Sequence, residues 1–369
     1  MEREFELLNG DRLTCTARAA VFHFSGPRAV LSTAANGGGL RYDLTSAFNY
    51  CDCGRAGVCQ PMQGRNLLEH QIAVAEQLGL DPAHTTGLDT AANLDNMVLV
   101  TRRWGELWIT AAVSGGADVN ALCAGDPASL WETAGEPCPV PSGTINIFLV
   151  IGQSLAPGAM AELMLTATEA KTAVLRDLMQ GSSVSESLAT GTGTDGMIVI
   201  CGQDGTSSLL NAGKHFKLGE LAALAVREAT TQALFRQTGC CPQEQHSVLK
   251  RLKRFGNTAD SLREQCATDC PVPWANFSHT LEKIDRDSFL VGAVALYVHL
   301  ADEYRAGLLT QGEADDWTCH LLEEIRRHYT CDVPVARELP LIQRLARFLS
   351  GLLAEHLDEQ GQLYQGKSR

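Results

Sequence analysis

The chain has 369 residues, of which 45% are hydrophobic and 20% charged, a composition that suits a soluble globular protein and excludes fibrous or largely disordered classes. A formal net charge of −13 disfavours binding to nucleic acid or to an anionic membrane surface. The N-terminus lacks an apolar signal core, and no later segment holds the roughly 20 apolar residues of a membrane span. We therefore expect a cytoplasmic protein with no nucleic-acid or membrane partner.

In chain order, the first 238 residues alternate short apolar runs with turn residues, a pattern typical of an α/β fold. Strands are predicted at 29–33, 97–101, 107–113, 144–151 and 197–201, and residues 130–141 at the surface. Asn66 and Glu69 have the spacing of a capping box, which predicts a helix that ends at Gly79. Further helices are predicted at about 157–179 and 218–236.

From residue 240 onward β-type runs disappear and only helical periodicity remains, at 287–305, 313–329 and 339–357. The sequence therefore predicts an α/β protein in which a mixed-sheet α/β sandwich core over residues 1–238 is followed by a smaller all-helical module over residues 240–369. The role of that module stays open among oligomerisation, substrate delivery and stabilisation. A homo-oligomer is compatible with it.

The helix predicted over 157–179 carries one lysine inside its apolar stripe. Lys171 follows Ala167 by four residues and precedes Val174 by three, whereas Glu169 projects from the opposite side. A desolvated lysine is suited to act as a base, and it is equally suited to form a structural ion pair with a carboxylate. Both interpretations stay open.

Two loops are candidates for ligand contact. The run Thr190-Gly-Thr-Gly-Thr-Asp195 offers hydroxyls, backbone N–H donors for an oxyanion and a carboxylate, although these residue types also form ordinary turns. Residues 37–39 are consecutive glycines after a strand, so the backbone can approach a ligand closely. Lys214 and His215 precede the next helix, where the histidine is a possible acid or base.

Several familiar sites are missing from the sequence. It contains no G-x-G-x-x-G fingerprint, no phosphate-binding G-x-x-x-x-G-K-[ST] and no G-x-S-x-G elbow, which disfavours dinucleotide binding, nucleoside triphosphate chemistry and an ordinary α/β-hydrolase triad. Thirteen cysteines in a reducing compartment favour free thiols over disulfides. We predict no metal site, because Cys51, Cys53 and Cys59 lack paired C-x-x-C spacing. These three cysteines are nevertheless the candidate ligands if a metal is bound.

Seven segments taken in order resemble the adenosylcobinamide amidohydrolase family over about residues 13–238. They are Leu31-Ser-Thr-Ala-Ala-Asn-Gly-Gly38, Gly87-Leu-Asp-Thr-Ala-Ala92, Asn120-Ala-Leu-Cys-Ala-Gly-Asp126, Gly143-Thr-Ile-Asn146, Ala167-Thr-Glu-Ala-Lys-Thr172, Ala189-Thr-Gly-Thr-Gly-Thr-Asp195 and Ala212-Gly-Lys-His215. The cysteines after Asn49 and the helical extension depart from the family pattern. The resemblance implies hydrolysis of the amide that joins a corrinoid propionate to its aminopropanol arm, which releases adenosylcobyric acid for cobalamin salvage or remodelling.

The resemblance implies a corrinoid substrate, adenosylcobinamide, and no required cofactor. From these segments we expect catalytic residues at Lys171, Asp195, His215, Thr194 and Glu169, and substrate-binding residues at Asn36, Gly37, Gly38, Thr90, Asn146, Thr190, Thr192 and Lys214. Lys171 and Asp195 are expected to form an acid–base pair, with His215 as the alternative proton donor. The glycines at 37–39 and the 190–194 loop are expected to face one cavity.

Two other classes of function stay open at this point. A corrinoid-binding protein without activity needs a cleft but no convergent titratable groups. A cysteine-ligated metal or redox protein needs three or four thiols within bonding range of one ion.

Overall fold

The computed structural model describes residues 2–53, 60–131, 143–203, 208–267 and 274–356. The chain divides into two compact units, Met1–Cys241 and Pro242–Arg369, each with a hydrophobic core of its own. Gly239, where the sequence placed the boundary, is the C-cap of the last helix of the first unit and has a left-handed backbone with φ of 74°.

The described residues of the first unit form thirteen strands and three α-helices. The strands are β1 (Arg3–Glu6), β2 (Arg12–Cys15), β3 (Ala19–His23), β4 (Arg28–Ser32), β5 (Gly39–Arg41), β6 (Ser46–Cys51), β7 (Thr85–Thr90), β8 (Val98–Trp104), β9 (Leu107–Gly115), β10 (Ala121–Leu122), β11 (Ile145–Ser154), β12 (Gly191–Thr192) and β13 (Gly196–Gly202). The helices are α1 (Leu67–Gln77), α2 (Pro157–Asp177) and α3 (Lys217–Thr238), and two short 3-10 turns cover Pro82–His84 and Leu94–Asn96.

The strands form two main sheets. One has the order β1-β2-β3-β6-β7 and the other the order β5-β4-β13-β11-β9-β8, while β10 and β12 form a short pair of their own. Most neighbours are antiparallel, but β6 runs parallel to β7 and β11 runs parallel to β13. The carboxyl ends of β6 and β7 therefore lie side by side, with Cys51 opposite Thr90.

The apolar side chains define four layers. β11 is a continuous apolar run, and both of its faces are buried. Leu149 on one face belongs to the cluster with α2 and α3, and Phe148 on the other face belongs to the cluster between the sheets. Phe148 stacks on Phe22 of the other sheet at 4.7 Å between ring centroids. The outer face of that sheet packs on α1, where Phe48 meets Val74. The predicted mixed-sheet α/β sandwich is confirmed, with α–β–β–α layering.

The described part of the second unit is helical. Its elements are α4 (Pro242–Gln245), α5 (Val248–Leu252), a 3-10 turn (Lys253–Phe255), α6 (Ala259–Ala267), α7 (Trp274–Asp285), α8 (Ser288–Arg305), α9 (Gln311–Tyr329) and α10 (Leu341–His356). α9 begins at a capping box in which Thr310 and Glu313 satisfy each other's backbone N–H groups. No strand occurs within 242–267 or 274–356, so the helical module is confirmed there. No helix in the described chain has the length and apolar character to span a membrane.

Candidate active site

Lys171 and Asp195 form the ion pair that the sequence predicted as a candidate. Lys171 lies on the buried face of α2, and only 8% of its side chain is exposed. Asp195 immediately precedes β13, and its Oδ2 pairs with Lys171 Nζ. Asp195 also accepts hydrogen bonds from the backbone N–H groups of Thr192 at 3.0 Å and Ile145 at 3.1 Å, and from the Thr192 hydroxyl at 2.5 Å. Four donors therefore stabilise its charged form.

The Thr-Gly-Thr-Gly-Thr loop is folded tightly around this pair. A Cβ atom on Gly191 would lie 2.2 Å from Asp195 Oδ2 and 2.7 Å from Lys171 Nζ, so the position requires glycine. The Thr190 carbonyl accepts from the Thr172 hydroxyl at 2.7 Å, and the Thr194 hydroxyl donates to the Gly143 carbonyl at 3.0 Å. The loop is thus fixed by α2 on one side and by the start of β11 on the other.

The predicted catalytic residues His215 and Glu169 and the predicted binding residue Lys214 lie elsewhere. His215 is exposed and makes no hydrogen bond or ion pair with any described residue. Glu169 and Lys214 form an exposed ion pair with each other, in which more than half of each side chain is accessible. None of the three is within hydrogen-bond distance of Lys171 or Asp195 in the described chain.

The predicted binding residues near the glycine run are enclosed by protein. The Asn36 side chain donates to the carbonyls of Pro82 at 3.1 Å and Thr85 at 3.2 Å. A Cβ atom on Gly37 would lie 2.4 Å from the Thr85 carbonyl oxygen, and one on Gly38 would lie 2.0 Å from that of Ala34. These glycines permit close packing of backbone against backbone.

Asn146 connects the 192–195 loop to the other sheet. Its Nδ2 donates to Asn49 Oδ1 at 2.8 Å and to the carbonyl of Asp89 at 2.9 Å, and its Oδ1 accepts from the Thr144 hydroxyl at 3.4 Å. Thr144 also donates to the Thr194 carbonyl at 2.6 Å. Thr90, the last residue of β7, is buried and its hydroxyl accepts from the N–H of Ala92 at 3.0 Å.

A second group of titratable residues lies where β6 and β7 end, and the sequence did not single it out. Asp52 follows β6, Asp89 is the penultimate residue of β7, and His70 on α1 reaches between them. His70 Nε2 lies 3.0 Å from Asp52 Oδ1 and 3.4 Å from Asp89 Oδ1. Gln71 Nε2 donates to Asp89 Oδ2 at 2.6 Å, and Gln71 Oε1 accepts from the Asn36 N–H at 2.8 Å.

Two members of this group have shifted pKa values. Burial lowers the pKa of His70, but its hydrogen bonds to Asp52 and Asp89 outweigh burial and raise that pKa to about 9. Burial also raises the pKa of Asp89. His70 therefore keeps its proton up to about pH 9, and its titration is coupled to that of Asp89. Asp52 is the outermost member, with a quarter of its side chain exposed.

The ligand atoms of Asp52, His70 and Asp89 lie within 4.8 Å of one another, so distance alone would let them hold a metal ion. The backbone N–H of Gln63, however, donates to His70 Nδ1 at 2.9 Å. A metal-bound histidine normally donates from its second nitrogen, whereas this one accepts. The Gln63 bond therefore favours a proton on Nε2, directed at the carboxylates, over a metal ion in that place.

A cavity of about 290 Å³ opens beside Asp52 and His70, and its other lining residues are Arg18, Tyr50, Gln60, Pro61, Gln63 and Gln77. Neither the glycines at 37–39 nor the 190–194 loop lines it. Asp52 thus presents a carboxylate, held by a histidine, to a polar cavity. Such an arrangement is able to take a proton from water and return it to a leaving group.

The cysteine cluster differs from the expectation in one respect. Cys53 takes part in a disulfide bond, so the preference for free thiols is wrong at that position. Cys51 is buried at the end of β6, with its sulfur 3.8 Å from the Ala91 carbonyl oxygen, and Cys59 lies outside the described residues. The backbone N–H of Gln60 donates to the Asp52 carbonyl at 3.0 Å.

One family model and one curated protein match the chain. The adenosylcobinamide amidohydrolase model matches residues 4–242. An uncharacterised protein of Methanocaldococcus jannaschii is 28% identical over 240 residues, which are 62% of this chain and 89% of that protein.

Two solved structures are distant likenesses. A β-aminopeptidase from a Burkholderia species has 14% identity and a TM-score of 0.33, and the match covers 60% of this chain and 80% of that one. The PH0078 protein of Pyrococcus horikoshii has 13% identity and a TM-score of 0.31, with 66% and 87% covered. The family match extends over the sandwich unit, and the chain therefore belongs to the adenosylcobinamide amidohydrolase family.

Proposed function

We propose that this protein hydrolyses the amide between a corrinoid propionate and the aminopropanol arm of adenosylcobinamide, which yields adenosylcobyric acid for cobalamin salvage. Family membership supports the reaction type. The observation that carries the proposal is the Asp52 carboxylate, which His70 holds on the wall of a polar cavity. That cavity has room for the amide arm, whereas the corrin macrocycle stays outside.

In the proposed reaction Asp52 is the general base. It removes a proton from a water molecule, whose oxygen attacks the amide carbon and forms a tetrahedral intermediate. The carbon–nitrogen bond then breaks, and Asp52 returns the proton to the departing amine, so that the products are a carboxylic acid and aminopropanol. His70 is a positioning residue, because its hydrogen bond fixes the orientation of the Asp52 carboxylate, and Asp89 in turn positions His70.

The decisive experiment is incubation with adenosylcobinamide, with adenosylcobyric acid followed by mass spectrometry. Replacing Asp52 by Asn removes the base and keeps the size of the side chain, so we expect kcat/KM to fall by about 10²–10⁴. Asp118→Asn is the matched control, since Asp118 is exposed and distant in sequence from the site. Normal turnover by Asp52→Asn would contradict the assignment. Binding without any turnover by the unaltered protein would identify a corrinoid-binding protein instead.

The Lys171–Asp195 pair stays a prediction as an alternative acid–base pair. Because four donors already stabilise the charge of Asp195, we expect Lys171→Met and Asp195→Asn to weaken folding more than chemistry. Turnover per folded molecule, with folding checked by circular dichroism, separates the two roles. A loss of 10²-fold or more in correctly folded Lys171→Met would move the chemistry to this pair. A loss confined to His215→Ala would move the proton donor to His215.

A further inference from the structure

The cavity beside Asp52 contains donor groups that the proposed reaction does not use. Arg18 lies in the turn between β2 and β3, and Tyr50 lies on β6, and both line the cavity. The guanidinium carbon of Arg18 is 5.4 Å from the centroid of the Tyr50 ring, and Arg18 Nη2 donates to the Tyr50 hydroxyl at 3.1 Å. This contact fixes the guanidinium in place and uses one of its five N–H donors.

The hydrogen bonds of Tyr50 show that the Arg18–Tyr50 pair lacks a hydrogen-bond acceptor. The hydroxyl oxygen accepts from Arg18 Nη2 at 3.1 Å and from Gln77 Nε2 at 3.4 Å, which occupies both of its lone pairs. Its own proton must therefore be donated, and no described residue accepts it. Arg18 likewise has no carboxylate within 4 Å among the described residues. The cluster offers donors and needs an acceptor-rich, negatively charged ligand.

The shape of the site indicates which part of a substrate carries that charge. Because a cavity of about 290 Å³ cannot enclose a corrin ring, the arm must enter it with the amine portion leading. Asp52 and His70 belong to the same lining and receive the amide. An anion next to the carboxylate of Asp52 would be repelled, so the charged group belongs beside Arg18, beyond the scissile bond.

We propose that Arg18 and Tyr50 form a subsite for a phosphate ester on the hydroxyl of the aminopropanol arm, which makes the phosphorylated amide the preferred substrate. A phosphate supplies oxygens for the Arg18 N–H groups and for the Tyr50 hydroxyl at once. The inference rests on the proposed amide hydrolysis and names the substrate class of that site. Arg18 is thus a specificity-determining residue.

The test compares kcat and KM for adenosylcobinamide and for its O-phosphorylated form. We expect kcat/KM to be about 10- to 100-fold higher for the phosphorylated substrate, mainly through KM. Arg18→Gln should abolish this preference, Arg18→Lys should restore part of it, and Tyr50→Phe should weaken it. Equal kcat/KM for both substrates in the unaltered protein, or an undiminished preference in Arg18→Gln, would overturn the proposal.

A separate measurement keeps the subsite testable if neither amide is cleaved. Calorimetric titration with 1-amino-2-propanol O-phosphate reports binding without turnover. Binding that weakens about tenfold or more in Arg18→Gln, with Arg12→Gln unchanged as the surface control, supports the subsite even though hydrolysis has failed. Absent binding, or equal binding by the Arg18 variant, rejects the subsite whatever the outcome for hydrolysis.

Discussion

At the scale of single residues, the site near Asp52 depends on His70, whose two ring nitrogens have different hydrogen-bond partners. His70 Nδ1 accepts from the Gln63 backbone, while Nε2 faces Asp52 and Asp89. The side chain is almost completely buried, so its protonation is linked to folding. Burial lowers the pKa of this histidine, and the carboxylates of Asp52 and Asp89 outweigh burial and raise it.

This linkage predicts how stability varies with pH. A pKa raised from 6.5 to about 9 adds stability that is fully present below pH 6.5 and is lost as the pH rises through 9, and about 3 kcal/mol is its upper bound. Urea unfolding at pH 6, 7.5 and 9.5 should therefore show a fall in the free energy of unfolding that His70→Gln lacks. His215→Gln, an exposed control, should follow the unaltered protein. Identical pH profiles for all three would rule out the linkage.

At the scale of elements, the end of the loop between α2 and β13 is held by hydrogen bonds and by a buried ion pair. β12 pairs with β10 over only two residues, so the Lys171–Asp195 ion pair supplies much of what fixes this segment. Gly191 makes the enclosure possible because it has no side chain. A buried ion pair of this kind is costly to break, since a lone charge would be left without compensation.

Replacing Gly191 by Ala should therefore destabilise the protein. The added methyl group would occupy the space between Asp195 and Lys171, and we expect the free energy of unfolding to fall by about 2–4 kcal/mol. Gly158→Ala is the matched control, because nothing lies within 4 Å of a Cβ atom there, and its effect should stay within about 0.5 kcal/mol. Comparable urea midpoints for the two variants would show that the loop adapts at no cost.

Sequence patterns predicted the six-stranded sheet far better than its partner. β9, β11 and β13 are long apolar runs, and the stripe of α2 placed Lys171 correctly on a buried face. The five-stranded sheet was not predicted, because β6 and β7 contain serine, asparagine, threonine and glycine, which resemble turn residues. These polar side chains tolerate burial because they bond to one another, as Ser46 does to Thr85 and Asn49 to Ser114.

Because the five-stranded sheet was not predicted, the site near Asp52 was not predicted either. Asp52, His70 and Asp89 meet only because β6 pairs in parallel with β7 and α1 packs over both. Without that sheet, no spacing in the sequence relates the three residues. One signal is present in the sequence: Asp89 lies within Gly87-Leu-Asp-Thr-Ala-Ala92, a segment of the family resemblance in which Thr90 is the predicted binding residue.

At the scale of the whole molecule, the chain consists of two units with separate apolar cores. The family match ends at residue 242, one residue after the end of the first unit. The helical unit buries its own side chains, such as Tyr297, Phe277 and Phe348, as an independent domain does.

We therefore expect residues 1–241 and 242–369 to fold when each is produced alone. Circular dichroism should show a cooperative thermal transition for each fragment, mixed α/β for the first and helical for the second. The first fragment should also retain the hydrolysis proposed above, because Arg18, Asp52, His70 and Asp89 all lie within it. A first fragment that never folds would show that the helical unit is an obligatory part of the sandwich.

The pairing of β4 with β13 has a consequence for the way the protein is made. Ser32 pairs with Ile198, and β13 in turn joins β4 to the rest of the six-stranded sheet. β4 pairs on one side with β5, which follows it closely, but a ribosome must add more than 160 residues before β13, its partner on the other side, exists. The N-terminal strands emerge early with apolar side chains such as Val30 uncovered, and they depend on slow long-range closure. Chaperone demand during synthesis should accordingly be greatest before residue 202 leaves the exit tunnel.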